Sequence, residues 1–215
     1  MTTDADKRAA AIHAAGLVQS GMRVGLGTGS TVAPMVVALG ERGLDIRCVA
    51  TSPATEQAAK DVGLRVEPFD AFDWLDIAID GADQIAPDGW LVKGGGRAHT
   101  REKIVAASAE RFVVIASSDK LVERLRPPVP LELLAYGAGA TLRRLEYATV
   151  REGPPSPDGG VIADWTGPLD DPAELATYLS GVTGVLEHGL FPPWMVTDVV
   201  TARDGVVDHR ALAGA

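Results

Sequence analysis

Lys93-Gly94-Gly95-Gly96-Arg97-Ala98-His99-Thr100-Arg101-Glu102-Lys103 follows the apolar run Trp90, Leu91, Val92 and precedes the apolar-periodic Ile104, Val105, Ala106. The pattern predicts a strand, a bare glycine turn and a helix. Consecutive glycines let main-chain N–H groups approach a ligand without Cβ obstruction and permit positive φ. Lys93 stands at the expected strand end, as a point charge for an anion or oxyanion. Thr100 is placed to cap the helix, which leaves Glu102 in its first turn. A lysine, backbone donors and a carboxylate within a few residues suit proton transfer on an anionic substrate. The same pattern also serves plain structure, because Gly-rich turns are common and the helix dipole alone favours a glutamate in a first turn.

Upstream, an alanine-rich stretch over 5–20 reads as a helix carrying Lys7 and His13, both ordinary solvated or core residues by default. Arg23 to Gly27 reads as a short buried strand, followed by Thr28-Gly29-Ser30-Thr31 and a helical run through Leu39. A strand, a Gly/Ser/Thr turn and a helix N-terminus make a phosphate cradle, with hydroxyl donors and free N–H groups aimed at the anion. The alternating glycines fit neither the Walker loop nor the dinucleotide fingerprint. Ile46–Thr51, Arg65–Glu67 and Leu75–Ile79 are further strands, with a short helix from Ser52-Pro53 through Lys60. The last of these strands ends in Asp80-Gly81-Ala82-Asp83, where ligands sit in open α/β sheets. Asp-Gly is also a plain turn signal. Two carboxylates suit a divalent metal, yet no histidine or third carboxylate has suitable local spacing. Hydroxyl binding or acid/base work is therefore preferred, and no metal is expected.

Downstream, Phe112–Ala116 is a buried strand running into Ser117-Ser118-Asp119-Lys120. Thr28–Thr31, Asp80–Asp83, Lys93–Glu102 and Lys120 thus all fall at the C-terminal ends of expected parallel strands. Pro127-Pro128-Val129-Pro130 marks a break. Beyond it strands at 129–134, 146–150, 160–165 and 196–202 and helices at 138–145 and 172–179 give the order βαββαβ, a ferredoxin-like signature. The expected architecture is α/β: a Rossmann-like, open, mostly parallel sheet flanked by helices, with a smaller ferredoxin-like α+β domain. Residues 1–128, completed by 203–215, form the catalytic domain and 129–202 the small one.

The chain's 215 residues carry a formal charge of −9 and a sequence pI of about 4.9. That lacks the general basic footprint of a nucleic-acid binder. The single cysteine, Cys48, lies in an apolar run and reads as core. The N-terminal Met1-Thr-Thr-Asp-Ala-Asp6 lacks a basic and apolar leader, and no apolar run approaches a membrane span. The expectation is a cytoplasmic protein with no nucleic-acid or membrane partner.

Gly25-Leu-Gly-Thr-Gly-Ser-Thr31, Asp80-Gly-Ala-Asp83 and Lys93-Gly-Gly-Gly with Thr100-Arg-Glu-Lys103, in that order and at these separations, resemble the A-type ribose-5-phosphate isomerase family. Ser118-Asp119-Lys120 matches a fourth family position, and Gly159–Asp164 and Gly184–Phe191 resemble its second domain. The resemblance implies interconversion of D-ribose 5-phosphate and D-ribulose 5-phosphate through an enediolate, in the non-oxidative pentose phosphate pathway, with neither metal nor organic cofactor. By position, Glu102 is implied as the base. Thr28, Gly29, Ser30 and Thr31 line the substrate pocket, and Lys93 with Gly94, Gly95 and Gly96 binds substrate. Asp80 and Asp83, flanking Gly81 and Ala82, contact sugar hydroxyls, one of them helping to open the furanose ring, and Lys120 is a further contact. A homodimer or higher homo-oligomer is implied by the family alone. The chain departs from the family pattern at Gln84, where glutamate is usual, at Arg97 and His99, where the glycine run usually leads into small or apolar residues, and over Thr51-Ser52-Pro53-Ala54-Thr55, where a more serine-rich stretch is usual. Arg97 is expected to face solvent. A sugar-phosphate-sensing module of related fold, and an enzyme of this fold acting on another sugar phosphate or an acyl-CoA, are the competing readings. The retained Glu102 argues against the sensor.

Overall fold

The computed structural model describes residues 4–212. Residues 1–3 and 213–215, and with them the start of the stretch read for a leader and the end of the tail 203–215, lie outside the described residues. In chain order the strands are β1 (Arg23–Leu26), β2 (Arg47–Ala50), β3 (Arg65–Val66), β4 (Ile77–Gly81), β5 (Gln84–Ile85), β6 (Leu91–Val92) and β7 (Phe112–Ser117). They continue as β8 (Val129–Leu133), β9 (Ala148–Val150), β10 (Val161–Trp165), β11 (Val185–His188), β12 (Leu190–Phe191), β13 (Asp198–Arg203) and β14 (Val206–Ala211). The α-helices are α1 (Asp4–Ala15), α2 (Val32–Glu41), α3 (Pro53–Asp61), α4 (His99–Ala107), α5 (Ala138–Leu142) and α6 (Pro172–Ser180).

The described residues form two compact units that interleave along the chain. One takes 4–82, 101–120 and 194–212; the other takes 83–100 and 121–193. The first unit is built on a seven-stranded sheet of order β14-β13-β7-β4-β1-β2-β3. All its pairings are parallel except β13 with β14. Strands covered on both faces read as continuous apolar runs rather than alternating ones. That is why all of Phe112–Ser117 is buried. Its core joins Ala10, Ala11 and Ala14 of α1 and Met35 and Leu39 of α2 to Leu26, Ile79, Val113 and Ile115 of the sheet. Cys48 lies within it, and burial pushes its thiol up to about 12. α3 starts where it was expected because Ser52 Oγ accepts the Thr55 N–H at 3.2 Å and Pro53 follows at the first turn.

The second unit holds a four-stranded antiparallel sheet of order β11-β8-β10-β9 with α5 and α6. This is the βαββαβ pattern expected, with one strand reassigned. The run Val196–Ala202, taken for its last strand, is β13 of the seven-stranded sheet, parallel to β7. The last strand is instead β11. Five consecutive buried residues from Asp198 to Ala202 suit a strand enclosed by two neighbours, whereas β11 leaves Leu186 exposed and carries little apolar signal. α6 is capped by Asp171, whose Oδ1 accepts from Ala173 N and Glu174 N at 2.8 and 3.1 Å. Leu131, Leu133, Trp165 and Leu179 anchor this unit's core.

A second correction concerns the strand before Lys93. β6 is not a strand of the parallel sheet. It pairs antiparallel with β5 and with β12 in a small sheet of the second unit. The cause is a tight turn, Ala86-Pro87-Asp88-Gly89, closed by Ala86 N to Trp90 O at 2.9 Å and Gly89 N to Ala86 O at 3.1 Å. That turn folds β5 and β6 into a hairpin.

Candidate active site

In the first unit β1, β4 and β7 are parallel, with β4 between the other two, so their C-terminal ends share one edge of the sheet. Thr28, Gly29, Ser30 and Thr31 occupy the turn from β1 into α2. Asp80 and Gly81 end β4, with Ala82 next, and Lys120 follows β7 in a short 3-10 turn. Asp80 is 3% exposed. Its Oδ1 accepts Thr28 N at 2.9 Å and Gly81 N at 2.7 Å, so one carboxylate oxygen ties the cradle's backbone to the end of β4. The approach is so close that a Cβ on Gly27 would fall 1.9 Å from that oxygen, which only glycine permits. Thr28 Oγ1 lies 2.7 Å from Thr51 Oγ1, and the Thr55 hydroxyl donates to the Gly27 carbonyl at 2.9 Å. The turn after β2 therefore braces the cradle. Gly29 takes φ +113, Ser30 is exposed, and Thr31 precedes α2 without capping it through its side chain.

Lys7 of α1 donates from Nζ to Ser30 Oγ at 3.2 Å. It brings to the cradle a cation that no local sequence signal assigned, because it reaches Ser30 only through the packing of α1. Lys120 is half-buried, with Nζ 3.4 Å from Asp119 Oδ2. Glu102 lies in the first turn of α4 and is 4% exposed. A carboxylate so placed is favoured by the helix N-terminus while little water solvates it. Thr100 does not cap this helix as expected. α4 begins at His99, and the Thr100 hydroxyl donates to Oε2 of Glu132. Ser156 donates to the other oxygen of that buried carboxylate.

In the second unit Lys93 follows β6 and is 3% exposed. Its amide donates to Gly189 O at 2.8 Å, and its Nζ stands 5.3 Å from the centre of the Phe191 ring. Asp83 is exposed, and its Oδ2 accepts the Gly95 N–H at 2.8 Å, which joins the second aspartate of the acidic motif to the glycine turn. Gly94 takes φ +109, and Gly95 and Gly96 are exposed. Arg97 does not face solvent. It is half-buried, and its guanidinium donates to the carbonyls of Glu152 and Pro154. His99 is fully buried. Gln84 makes a reciprocal pair with the backbone of Arg126, donating to its carbonyl at 2.7 Å and accepting its N–H at 2.8 Å. Arg151, which drew no notice in the sequence, donates from Nη1 to Gly94 O at 3.0 Å. The hydrogen bond it makes to Asp164 raises its already high pKa.

The inventory is a hydroxyl-lined anion cradle with a lysine, a buried carboxylate on a helix, an acidic pair at a strand end, and a buried lysine beside glycine amides. Taken singly, such groups suit anion binding and proton transfer. A family model for ribose 5-phosphate isomerase A (phosphoriboisomerase A) matches residues 47–205. Ribose-5-phosphate isomerase A of Methanosarcina acetivorans is 45% identical over 205 residues, covering 88% of each chain. That of Nitrobacter hamburgensis is 44% identical over 89% of this chain and 91% of its own. Among solved structures, ribose 5 phosphate isomerase A from Neisseria gonorrhoeae superposes with a TM-score of 0.92 at 32% identity, covering 98% of both chains. A D-ribose-5-phosphate isomerase in complex with phospho-erythronic acid gives 0.90 at 33% identity, covering 96% of this chain and 97% of its own.

Proposed function

The chain belongs to the ribose 5-phosphate isomerase A family, and from that premise we infer that it interconverts D-ribose 5-phosphate and D-ribulose 5-phosphate, with Glu102 as the base. In the forward direction Glu102 removes the proton from C2 of the open-chain aldose. The electron pair moves into the C1–C2 bond and leaves negative charge on O1, an enediolate. The proton returns to C1 while O1 gains a proton and O2 gives one up, so the ketose differs from the aldose only in where its hydrogens lie.

Each residue's part follows from its setting. A base that attacks carbon must be ionised yet poorly solvated, and the burial of Glu102 in a helical first turn is the observation that carries its assignment. Lys93 and the amides of Gly94 and Gly96 supply fixed donors for the developing oxyanion, while the Gly95 amide ties the turn to Asp83. Thr28–Thr31 hold the phosphate with hydroxyls, the N-terminus of α2 and Lys7, and Lys120 adds a cation at the same sheet edge. The two aspartates divide the remaining work. Asp80, buried and holding two backbone amides on one oxygen, keeps the cradle in shape and meets a sugar hydroxyl. Asp83, exposed, is the one suited to pass a proton during ring opening. The chemistry calls for no metal or organic cofactor. A cytoplasmic enzyme assembled as a homodimer or higher homo-oligomer completes the proposal, and sedimentation of the purified chain tests the assembly. Among the described residues no helix is long and apolar enough to cross a membrane.

The deciding experiment follows conversion of ribose 5-phosphate to ribulose 5-phosphate by the purified protein in EDTA, beside the Glu102→Gln variant. Loss of the base lowers kcat by roughly two decades or more. Equal rates in the two proteins would remove Glu102 from its role, and ribose 5-phosphate binding without turnover would sink the isomerase.

A further inference from the structure

Arg97 occupies a backbone conformation that arginine rarely adopts, with φ at +66°. Residues other than glycine persist there only where their surroundings over-determine them. Here the surroundings are specific. Arg97 Nη1 donates to Pro154 O at 2.7 Å and Nη2 to Glu152 O, so one planar fork engages two carbonyls of the connection between β9 and β10. Gly153, between them, passes so near that a Cβ there would stand 2.5 Å from Nη2. The connection returns the contact one residue earlier. Arg151 donates from Nη1 to Gly94 O at 3.0 Å, and that carbonyl also accepts Arg97 N at 3.1 Å. Arg151 is itself held by Asp164, with Nε 2.8 Å from Oδ2 and Nη2 bonded to Oδ1. The turn Gly94–Arg97 is thus gripped from both ends by arginines that cross in opposite directions, and between them the Gly95 amide meets Asp83.

We propose that Arg97 and Arg151 are positioning residues for the isomerisation, a reciprocal clamp that keeps the glycine turn after Lys93 in one conformation so that the Gly94 and Gly96 amides serve the developing oxyanion without reorganising. The clamp rests on the assignment of Lys93–Gly96 to substrate made above. Three consecutive glycines have more backbone freedom to lose than any other tripeptide, so a turn needed as a fixed set of donors requires restraint from outside. Arginine suits the task because its rigid fork satisfies two carbonyls at once, which the point charge of lysine does not. A donor set that matters only as charge develops acts on kcat rather than on ground-state binding.

The test uses the full chain with Arg97→Gly and Arg97→Lys. Glycine accepts the φ of this position, so the variant removes the fork without introducing backbone strain. Two readouts are taken: amide hydrogen exchange of the segment 93–97, and kcat and KM for ribose 5-phosphate. Arg97→Gly is expected to exchange faster across that segment and to lose about 10- to 100-fold in kcat with KM changed less than about threefold, as small misplacements of catalytic donors do. Arg97→Lys is expected to fall between it and the parent. Unchanged exchange would overturn the clamp whatever the activity. Faster exchange with parental kcat would overturn its role in the reaction. A parent protein that exchanges more slowly than Arg97→Gly but does not turn over ribose 5-phosphate would sink the isomerase, while the exchange comparison would still decide the clamp.

Discussion

At the scale of single residues, two departures from the family pattern, Gln84 and Arg97, have definite hydrogen-bond partners. Gln84 stands where the family usually has glutamate, and its amide both donates to and accepts from the backbone of Arg126. A carboxylate only accepts. Gln84→Glu should therefore leave the Arg126 carbonyl facing a like partner and cost about 1 kcal/mol, seen as a fall of roughly 2–4 °C in thermal midpoint for a chain of this size. An unchanged midpoint would show that the donor bond adds nothing. The placement of residues in contiguous sequence was legible in advance: Asp80 and Glu102 sit at a strand end and in a helical first turn, as the local pattern expects. The partners of Arg97 were not. They lie 55 and 57 residues away, and no local pattern reports on a carbonyl so distant. The same holds for Glu132, 32 residues from the Thr100 hydroxyl that it holds in place of a helix cap.

At the scale of elements, the parallel strands and their turns were readable because burial on both faces writes a continuous apolar run. The errors came from short elements. The hairpin of β5 and β6 was announced by Pro87-Asp88-Gly89, a turn signal with a mechanism. Two-residue strands on either side give no periodicity to weigh against the glycine turn that follows. β11 was passed over in favour of the more apolar β13. The position of β13 has a consequence for acid stability. Its first residue, Asp198, is buried, which by itself raises a carboxyl pKa. Hydrogen bonds from Arg111, from His209 of β14 and from Thr197 more than offset this, and hold it well below the carboxylate range. A depressed folded-state pKa gives stability that is complete above the unfolded value of about 3.9 and is lost as pH falls toward the folded value. Asp198→Asn should lower the thermal midpoint at pH 7 by roughly 4–8 °C, for a loss of about 2 kcal/mol. The gap to the parent should narrow as pH falls below about 4. A gap that stays constant with pH would assign the effect to packing rather than to charge.

At the scale of the whole molecule, the division expected at 128/129 differs from the compact units, since the hairpin of β5 and β6 groups with the later segment and β13 with the earlier one. A fragment spanning 129–202 should therefore not fold alone. It carries β13, whose neighbours β7 and β14 are absent, and it leaves β12 without β6. Far-ultraviolet circular dichroism and amide dispersion by NMR check this, and a cooperative unfolding transition in the fragment would refute it. The interleaving also bears on inheritance. The first unit has segments at both ends of the described chain, and the second fills two stretches inside it. Any single genetic crossover within the described chain divides the first unit, and none delivers the second alone. Homologous exchange between related genes can mix the two units' sequences, but a lineage acquires either of them only together with part of the other, so their histories are expected to be one.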